Sequence, residues 1–412
     1  MASEVWTADP HQIELSDKAY DILKEHGLVY LAMEERTGKS ITALRTAEKC
    51  ANVDTVFILS TKKALDGWKE TLAKFPHDKV YILSNYHSSG KLVGKAQLVI
   101  LDEAHNYISG YPKTSKLYRD VYSKVYGLPI IYSSATPHAE GPQLLFHQFK
   151  LSKWSPWKHF PDFYAWFKFY ADRKPDGELR TTKISATQTV IDYTKIKTEE
   201  VLDTVKHLFV TYTRKQAGFE HEPEDVLHYV ELLPQIKEIY NTIVDKKVLA
   251  FTHSETGKDY VLICDSASKM RWALHMLEGG TLKIDNEYIN LGNNEKADYI
   301  LKTWGDTEDL VIMYHFKADE IKLSRMFKKA RILQSQTFAE GVDLSMYKDL
   351  VIYSQNHSAA KHSQRRARQA NRKRKEPINV HYILVKRATS DKAYRSVSIK
   401  KQNFIDTVFE RI

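Results

Sequence analysis

The sequence predicts an α/β protein: two consecutive blocks of parallel sheet with helices on both faces, and a small aromatic-rich helical insertion between them. Two observations predict it. Short continuous apolar runs alternate with helix-period stretches from residue 28 to residue 137, and again from about residue 207 to residue 385. Strands of that kind are buried on both faces, as parallel sheets require. Between the blocks the composition shifts to rings interleaved with lysines, LSKWSPWKHFPDFYAWFKFYADR over residues 151–173. The expected domains are therefore 1–145, an insertion and linker over 146–205, and 206–412.

Length agrees, since 412 residues at about 150 per domain make two or three domains. A hydrophobic content of 42%, with 24 Tyr, 16 Phe and 7 Trp, supplies sizeable cores. The 61 Lys+Arg exceed the 52 Asp+Glu by +9, which favours a polyanionic partner. Cys50 and Cys264 lie far apart and match no metal-ligand spacing, so a reducing compartment is expected and no disulfide framework. None of the 17 histidines falls in an HExxH pattern, which leaves them packing or surface roles. No apolar run approaches the ~20 residues of a membrane span. The start, MASEVWTADP, carries Glu4 and Asp9 and lacks an apolar core. The expectation is a cytoplasmic monomer with no membrane partner.

In chain order, Pro10-His11-Gln12 precedes a helix expected over 16–25, then LVYLA (28–32) forms the first strand. Ser40-Ile41-Thr42-Ala43-Leu44 opens the next helix. TVFILS (55–60), VYIL (80–83), QLVIL (97–101) and PIIYSSATP (129–137) supply further strands, with helices over 62–75 and 115–125 between them. The rings of 151–173 are expected to form the core of the helical insertion rather than a base-stacking surface. Residues 174–200 are polar, with the turn Lys174-Pro175-Asp176-Gly177, and suit a hairpin or connection. The second block reads as strands at 207–213, 226–233, 310–316, 348–354 and 378–385. Helices are expected at 235–245, 267–277, 295–304 and 318–330.

The chemistry concentrates at strand ends. After the first strand comes Gly38-Lys39-Ser40, the end of a phosphate-binding loop followed by a helix N-terminus. Backbone amides and the helix dipole face phosphates there. Lys39 adds a point charge at the β/γ-phosphates, and the Ser40 hydroxyl is a Mg²⁺ ligand. The motif is incomplete, because Met33 stands where GxxxxGK[ST] has its first glycine. Gly257-Lys258 is followed by Asp259, which brings no hydroxyl, and reads as a plain turn.

The fourth strand runs into Asp102-Glu103-Ala104-His105. Asp102 is the expected outer Mg²⁺ ligand, and Glu103 is placed to orient or deprotonate a water. Ser134-Ala135-Thr136 ends the last strand of the block, within reach of that pair. Gln12 offers a donor and an acceptor to an adenine edge. The stretch KHSQRRARQANRKRK (361–375) is basic without an acid, and a helix there would put Gln364, Arg365 and Arg368 on one face.

In this order these pieces resemble a superfamily-two helicase or translocase of the DExH type with two tandem RecA-like lobes. Within it the Swi/Snf-type branch and its compact phage relatives are most similar. LAMEERTGKS resembles that branch's LADEMGLGKT, and Trp68 in DGWKE, SATP and KMRWALHMLEGG are also similar. The resemblance covers most of the chain, from Gln12 to Arg368. It implies hydrolysis of ATP with Mg²⁺, coupled to movement along DNA in replication, recombination or repair, with RNA as the alternative strand.

The resemblance further implies nucleotide contacts from Gln12, Thr37, Gly38, Lys39, Ser40, Ile41, Gly341 and Asp343. Coupling would fall to His105, Ser134, Ala135, Thr136 and Gln364, and nucleic-acid contact to Thr61, Lys62 and Thr337. Finger roles would fall to Arg368 first, then Arg365 and Arg372. The family's arginines stand three apart, whereas Asn371 occupies the second position here and Arg372 comes one residue late. Two other readings compete: a nucleic-acid-binding protein with a degenerate nucleotide site, and the motor subunit of a restriction or nuclease assembly.

Overall fold

A computed structural model describes residues 6–138, 140–183, 188–253, 256–335, 344–347, 349–355, 358, 362, 365–372 and 374–408. The chain divides into two compact units, one built on Met1–Lys183 and Thr187–Phe219, the other on Glu220–Ile399.

The first unit begins with α1 (Pro10–His26), β1 (Leu28–Met33), α2 (Lys39–Glu48), β2 (Thr55–Ser60), α3 (Ala64–Lys74) and β3 (Val80–Asn85). It continues with β4 (Leu98–Asp102), α4 (His105–Ile108), α5 (Lys116–Val125) and β5 (Ile130–Ser133). Then come α6 (Leu145–Lys150), α7 (Phe163–Tyr170), the hairpin β6 (Thr181–Lys183) and β7 (Thr189–Ile191), α8 (Thr198–Val205) and β8 (Phe209–Tyr212). Its sheet runs β3-β2-β4-β5-β1-β8, and every pairing in it is parallel.

All six residues of β1 are buried, because the strand is covered on both sides. Val29, Leu31 and Met33 pack against Leu15, Ala19 and Leu23 of α1 and Ala43, Leu44 and Ala47 of α2. Tyr30 faces the other way and stacks between Tyr132 and Phe209, both at 5.0 Å between centroids. Phe149 packs on the Tyr30 and Tyr132 rings. The aromatic insertion continues that layer inward, with Trp157 against Phe149 and Trp166. Trp157, Phe163, Trp166 and Phe167 are buried, so these rings form core, as the sequence indicated.

One expectation is corrected. The strand at 207–213 was assigned to the second block, but β8 pairs in parallel with β1, Tyr30 opposite Phe209 through Met33 opposite Tyr212. It closes the first sheet because Phe209 completes the Tyr30–Tyr132 ring stack and Val210 enters the core on the helix side.

The second unit begins with β9 (Pro223–Val230), α9 (Pro234–Lys246), the hairpin β10 (Val248–Thr252) and β11 (Asp259–Ile263), and α10 (Ala267–Glu278). There follow the hairpin β12 (Thr281–Ile284) and β13 (Glu287–Asn290), α11 (Glu295–Trp304), β14 (Leu310–Tyr314) and α12 (Lys317–Met326). It ends with β15 (Arg331–Gln334), β16 (Asp349–Ile352), β17 (Ile378–Val385) and α13 (Thr389–Val408). The parallel sheet β15-β14-β16-β17-β9 has a core on each face. Ile312 and Val351 meet α11 and α12 on one side, and Val311 and Ile352 lie on the other. The two hairpins pack with α9 and α10 around Leu249, Leu274, Leu277 and Ile289. Gly257, at φ 66°, lies in the turn between β10 and β11, where a turn was expected. Each unit is thus an α/β sheet of the class the sequence predicted.

Candidate phosphate-binding and hydrolytic site

The candidate site lies at the C-terminal edge of the first sheet, where open α/β sheets place ligands. Register brings its parts level. Asp102 on β4 is opposite Ser133 on β5, and Ser133 is opposite Leu31 on β1. The acidic pair therefore stands two strands from the loop that leaves β1, about 10 Å at the usual strand spacing.

That loop is fixed from inside and from both flanks. The Thr37 hydroxyl donates to the Glu34 carbonyl at 2.7 Å. Gly38 is left-handed at φ 90°, a conformation strained for any side chain, and a Cβ there would lie 1.9 Å from Gln12 Nε2, so the glutamine would have to move. Lys39 opens α2, and its ammonium donates to the carbonyls of Met33 (2.9 Å) and Glu34 (3.1 Å). No acid lies in the first turn of α2 and no side chain caps it. The leading amides of Lys39, Ser40 and Ile41 therefore have no intrahelical acceptor. Ser40 is half-buried beside them. Gln12 was expected to precede the helix but sits in the first turn of α1, which begins at Pro10. It is buried, and its Oε1 accepts from the Asp9 amide at 2.9 Å.

Asp102 is aimed by two donors on one oxygen: Ser60 Oγ at 2.6 Å and Trp68 Nε1 at 3.0 Å reach Oδ2. Glu103 takes a left-handed backbone, φ 51°, with its amide on the Ser133 carbonyl at 2.8 Å. Such a conformation at a non-glycine costs roughly 1–3 kcal/mol, and it turns the carboxylate off the strand direction. Ser134 Oγ donates to Glu103 Oε2 at 2.9 Å and lies 3.0 Å from His105 Nδ1. His105 Nδ1 is also 3.5 Å from Glu103 Oε2, and Thr136 Oγ1 lies 3.5 Å from His105 Nε2. Glu103, His105, Ser134 and Thr136 thus form one connected network, with Ala135 buried between the hydroxyls.

This donor set fits a Mg²⁺-bound triphosphate: an ammonium and undirected amides for phosphate, a hydroxyl and an aimed carboxylate for a hard cation. A second carboxylate, on a hydrogen-bonded serine, remains for a proton.

Other expected residues stand elsewhere. Thr61 is buried, and its hydroxyl accepts from the Ala64 amide at 3.1 Å, serving the start of α3 rather than facing outward. Lys62 is exposed. In the second unit Arg365 is wholly buried, with Tyr382 and Asp225 acting on its charge. The backbone is helical at Arg365 and Arg366 but turns at 367–368, so Arg368 does not share a helical face with Arg365. Arg368 is half-buried and Arg372 exposed. Arg366, not among the expected fingers, donates to Asp225 Oδ1 at 2.5 Å and to the Pro223 carbonyl. Thr337, Gly341, Asp343 and Gln364 lie outside the described residues.

Sequence reasoning missed His11 and Arg214. His11 stacks on Tyr212 at 4.8 Å, and its Nε2 lies 3.1 Å from the Thr37 carbonyl. Arg214 meets Glu34 and Glu35 of the loop. Neither carries a motif; only the adjacency of β8 to β1 brings them there.

No protein-family model and no curated protein matches the chain. Among solved structures it is similar to the Sulfolobus solfataricus SWI2/SNF2 ATPase core in complex with dsDNA. That match has 14% identity and a TM-score of 0.43, and covers 100% of this chain and 95% of the other. It is also similar to the Sulfolobus solfataricus SWI2/SNF2 ATPase core domain, at 12% identity, 100% and 92% coverage and a TM-score of 0.41.

Proposed function

We propose that the chain is an ATP hydrolase of the superfamily-two DExH type, with two RecA-like lobes, that couples hydrolysis to movement along DNA. The observation that carries the reading is the level alignment of the Lys39 loop and the Glu103–Ser134–His105 network on one sheet edge. Bound Mg²⁺ and ATP supply the phosphoryl group and neutralise part of its charge. The chain's own residues do the rest. Lys39 exchanges its two loop carbonyls for phosphate oxygens. Ser40 and Asp102 hold the metal, and Gln12 reads the base. Glu103 orients the water and takes its proton, while Ser134 and His105 report the state of Glu103 to the chain beyond β5. Arg368 and Arg372 of the second unit are the candidate fingers for the developing charge, and the burial of Arg365 suits a supporting part. Lys62 and other surface cations grip DNA phosphates, which makes binding salt-dependent and poorly selective against RNA.

The test is ATP turnover with and without DNA. Lys39→Ala and Glu103→Gln are each expected to lose hydrolysis by 10²-fold or more, the scale of a positioned general base, with DNA binding retained. Wild-type turnover in either variant would end the assignment. Strand displacement and branch migration on forked, four-way and RNA substrates then separate unwinding from duplex translocation.

A further inference from the structure

The loop that carries Lys39 begins with two adjacent carboxylates, Glu34 and Glu35, an unfavourable sign beside a polyphosphate. Both are met by one guanidinium. Arg214, in the turn after β8, places Nη1 3.0 Å from Glu35 Oε2 and Nη2 3.6 Å from Glu34 Oε1. Its backbone amide donates to Glu34 Oε2 at 2.7 Å. The arginine side chain is only 5% exposed, and the two carboxylates 16% and 14%, so solvent screens little of the attraction.

The backbone ties the same two segments, since the Glu34 amide donates to the Tyr212 carbonyl at 2.9 Å. The turn bearing Arg214 is itself held. Thr213 donates through its amide and hydroxyl to Gln216 Oε1, and the Phe219 amide donates to the Arg214 carbonyl. Glu34 matters twice, because its carbonyl is one of the two on which Lys39 rests. Phe219 is also where the main body of the first unit ends, with Glu220 beginning the second.

We propose that Arg214 is the positioning residue of the phosphate loop. It draws Glu34 and Glu35 away from the phosphate path and sets the carbonyls that hold Lys39. It also ties the loop's shape to the chain segment leading into the second unit. What the loop binds rests on the ATPase reading above; the clamp itself does not. Removing one side of a buried ion pair is costly, and here two carboxylates would lose the guanidinium they share.

The experiment compares the full chain with Arg214→Ala, Arg214→Lys and the charge exchange Arg214→Glu with Glu35→Arg. Two readouts are taken: KM and kcat for ATP, and hydrogen exchange of the amides at 34–40. Arg214→Ala is expected to lower kcat/KM by roughly 10- to 100-fold, as loop misplacement does, with most of the change in KM. Its loop amides should exchange faster than the parent's. Lysine keeps the charge without the fork and should recover part of each change; the exchanged pair should recover part of KM. Unchanged KM together with unchanged loop exchange in Arg214→Ala overturns the proposal. Should that variant fail to fold, a folded Arg214→Lys with parent-like KM and parent-like exchange overturns it equally. A parent chain that hydrolyses no ATP removes the ATPase reading instead, and loop exchange alone then decides the clamp.

Discussion

Single side chains at the candidate site are held by short, directional contacts, and each can be tested alone. Trp68 Nε1 and Ser60 Oγ share Asp102 Oδ2. A hydrogen bond to a charged group is worth about 1.5–3 kcal/mol, and Trp68→Phe removes one while keeping most of the ring. Expected are a stability loss of that order and a several-fold higher Mg²⁺ requirement for hydrolysis, read by chemical denaturation and metal titration. An unchanged Mg²⁺ requirement would argue against Asp102 as the metal's carboxylate. His138, just past Ser134-Ala135-Thr136, is buried, and burial pushes its imidazole down to about 4. Between about 4 and the ordinary value near 6.5 the unfolded chain binds a proton that the folded chain refuses. The stability this group contributes is full above about 6.5 and is lost as pH falls toward 4. Acid titration of stability should therefore steepen over that window, and His138→Asn should flatten it; an identical slope would remove His138 as the cause.

At the scale of elements, the aromatic insertion divides into core and surface. Trp157 is fully buried against Phe149 and Trp166, whereas Phe169 is 64% exposed. Trp157→Ala should cost about 3–5 kcal/mol, and Phe169→Ala should stay within roughly 0.5 kcal/mol; denaturant midpoints compare them. Equal effects would mean the rings do not form a common core. Elements whose burial is symmetric were the legible ones: the continuous apolar runs of β1, β2, β4, β14 and β17 announced themselves, as did the helices between them. The hairpins β10–β11 and β12–β13 were missed because their strands are only four or five residues long and their polarity does not track burial: Val248, Val261 and Ile263 are apolar yet exposed, whereas Thr281 is buried. β8 was seen as a strand but placed in the wrong block, since partnership with β1 spans about 180 residues and no local pattern encodes it. The start of α1 came early because Asp9 and Pro10 already form a start signal ahead of the apolar stripe. For the candidate site, Lys39, Asp102, Glu103 and Ser134 were legible because strand ends in one parallel sheet converge. Arg214 and His11 were not, because their partners are set by tertiary pairing. The face shared by Arg365 and Arg368 was over-read: it presumed a helix through 368, and the chain turns first.

The whole chain comprises two units with separate cores, the first around Val29, Leu31 and Ile100, the second around Ile312, Val351 and Ile383. Separate cores favour separate melting steps, because cooperativity follows shared burial. Under the proposed function the nucleotide engages mainly the first unit through Lys39, Ser40 and Asp102. A ligand at a hundred times its dissociation constant stabilises what it binds by about 2.7 kcal/mol, or roughly 5–10 °C for a unit of some two hundred residues. A non-hydrolysable ATP analogue with Mg²⁺ should therefore raise one of two calorimetric transitions by that amount, and Lys39→Ala should abolish the rise. If the analogue moves neither transition while DNA moves both, the nucleotide site is degenerate and the chain is a binding protein rather than a motor.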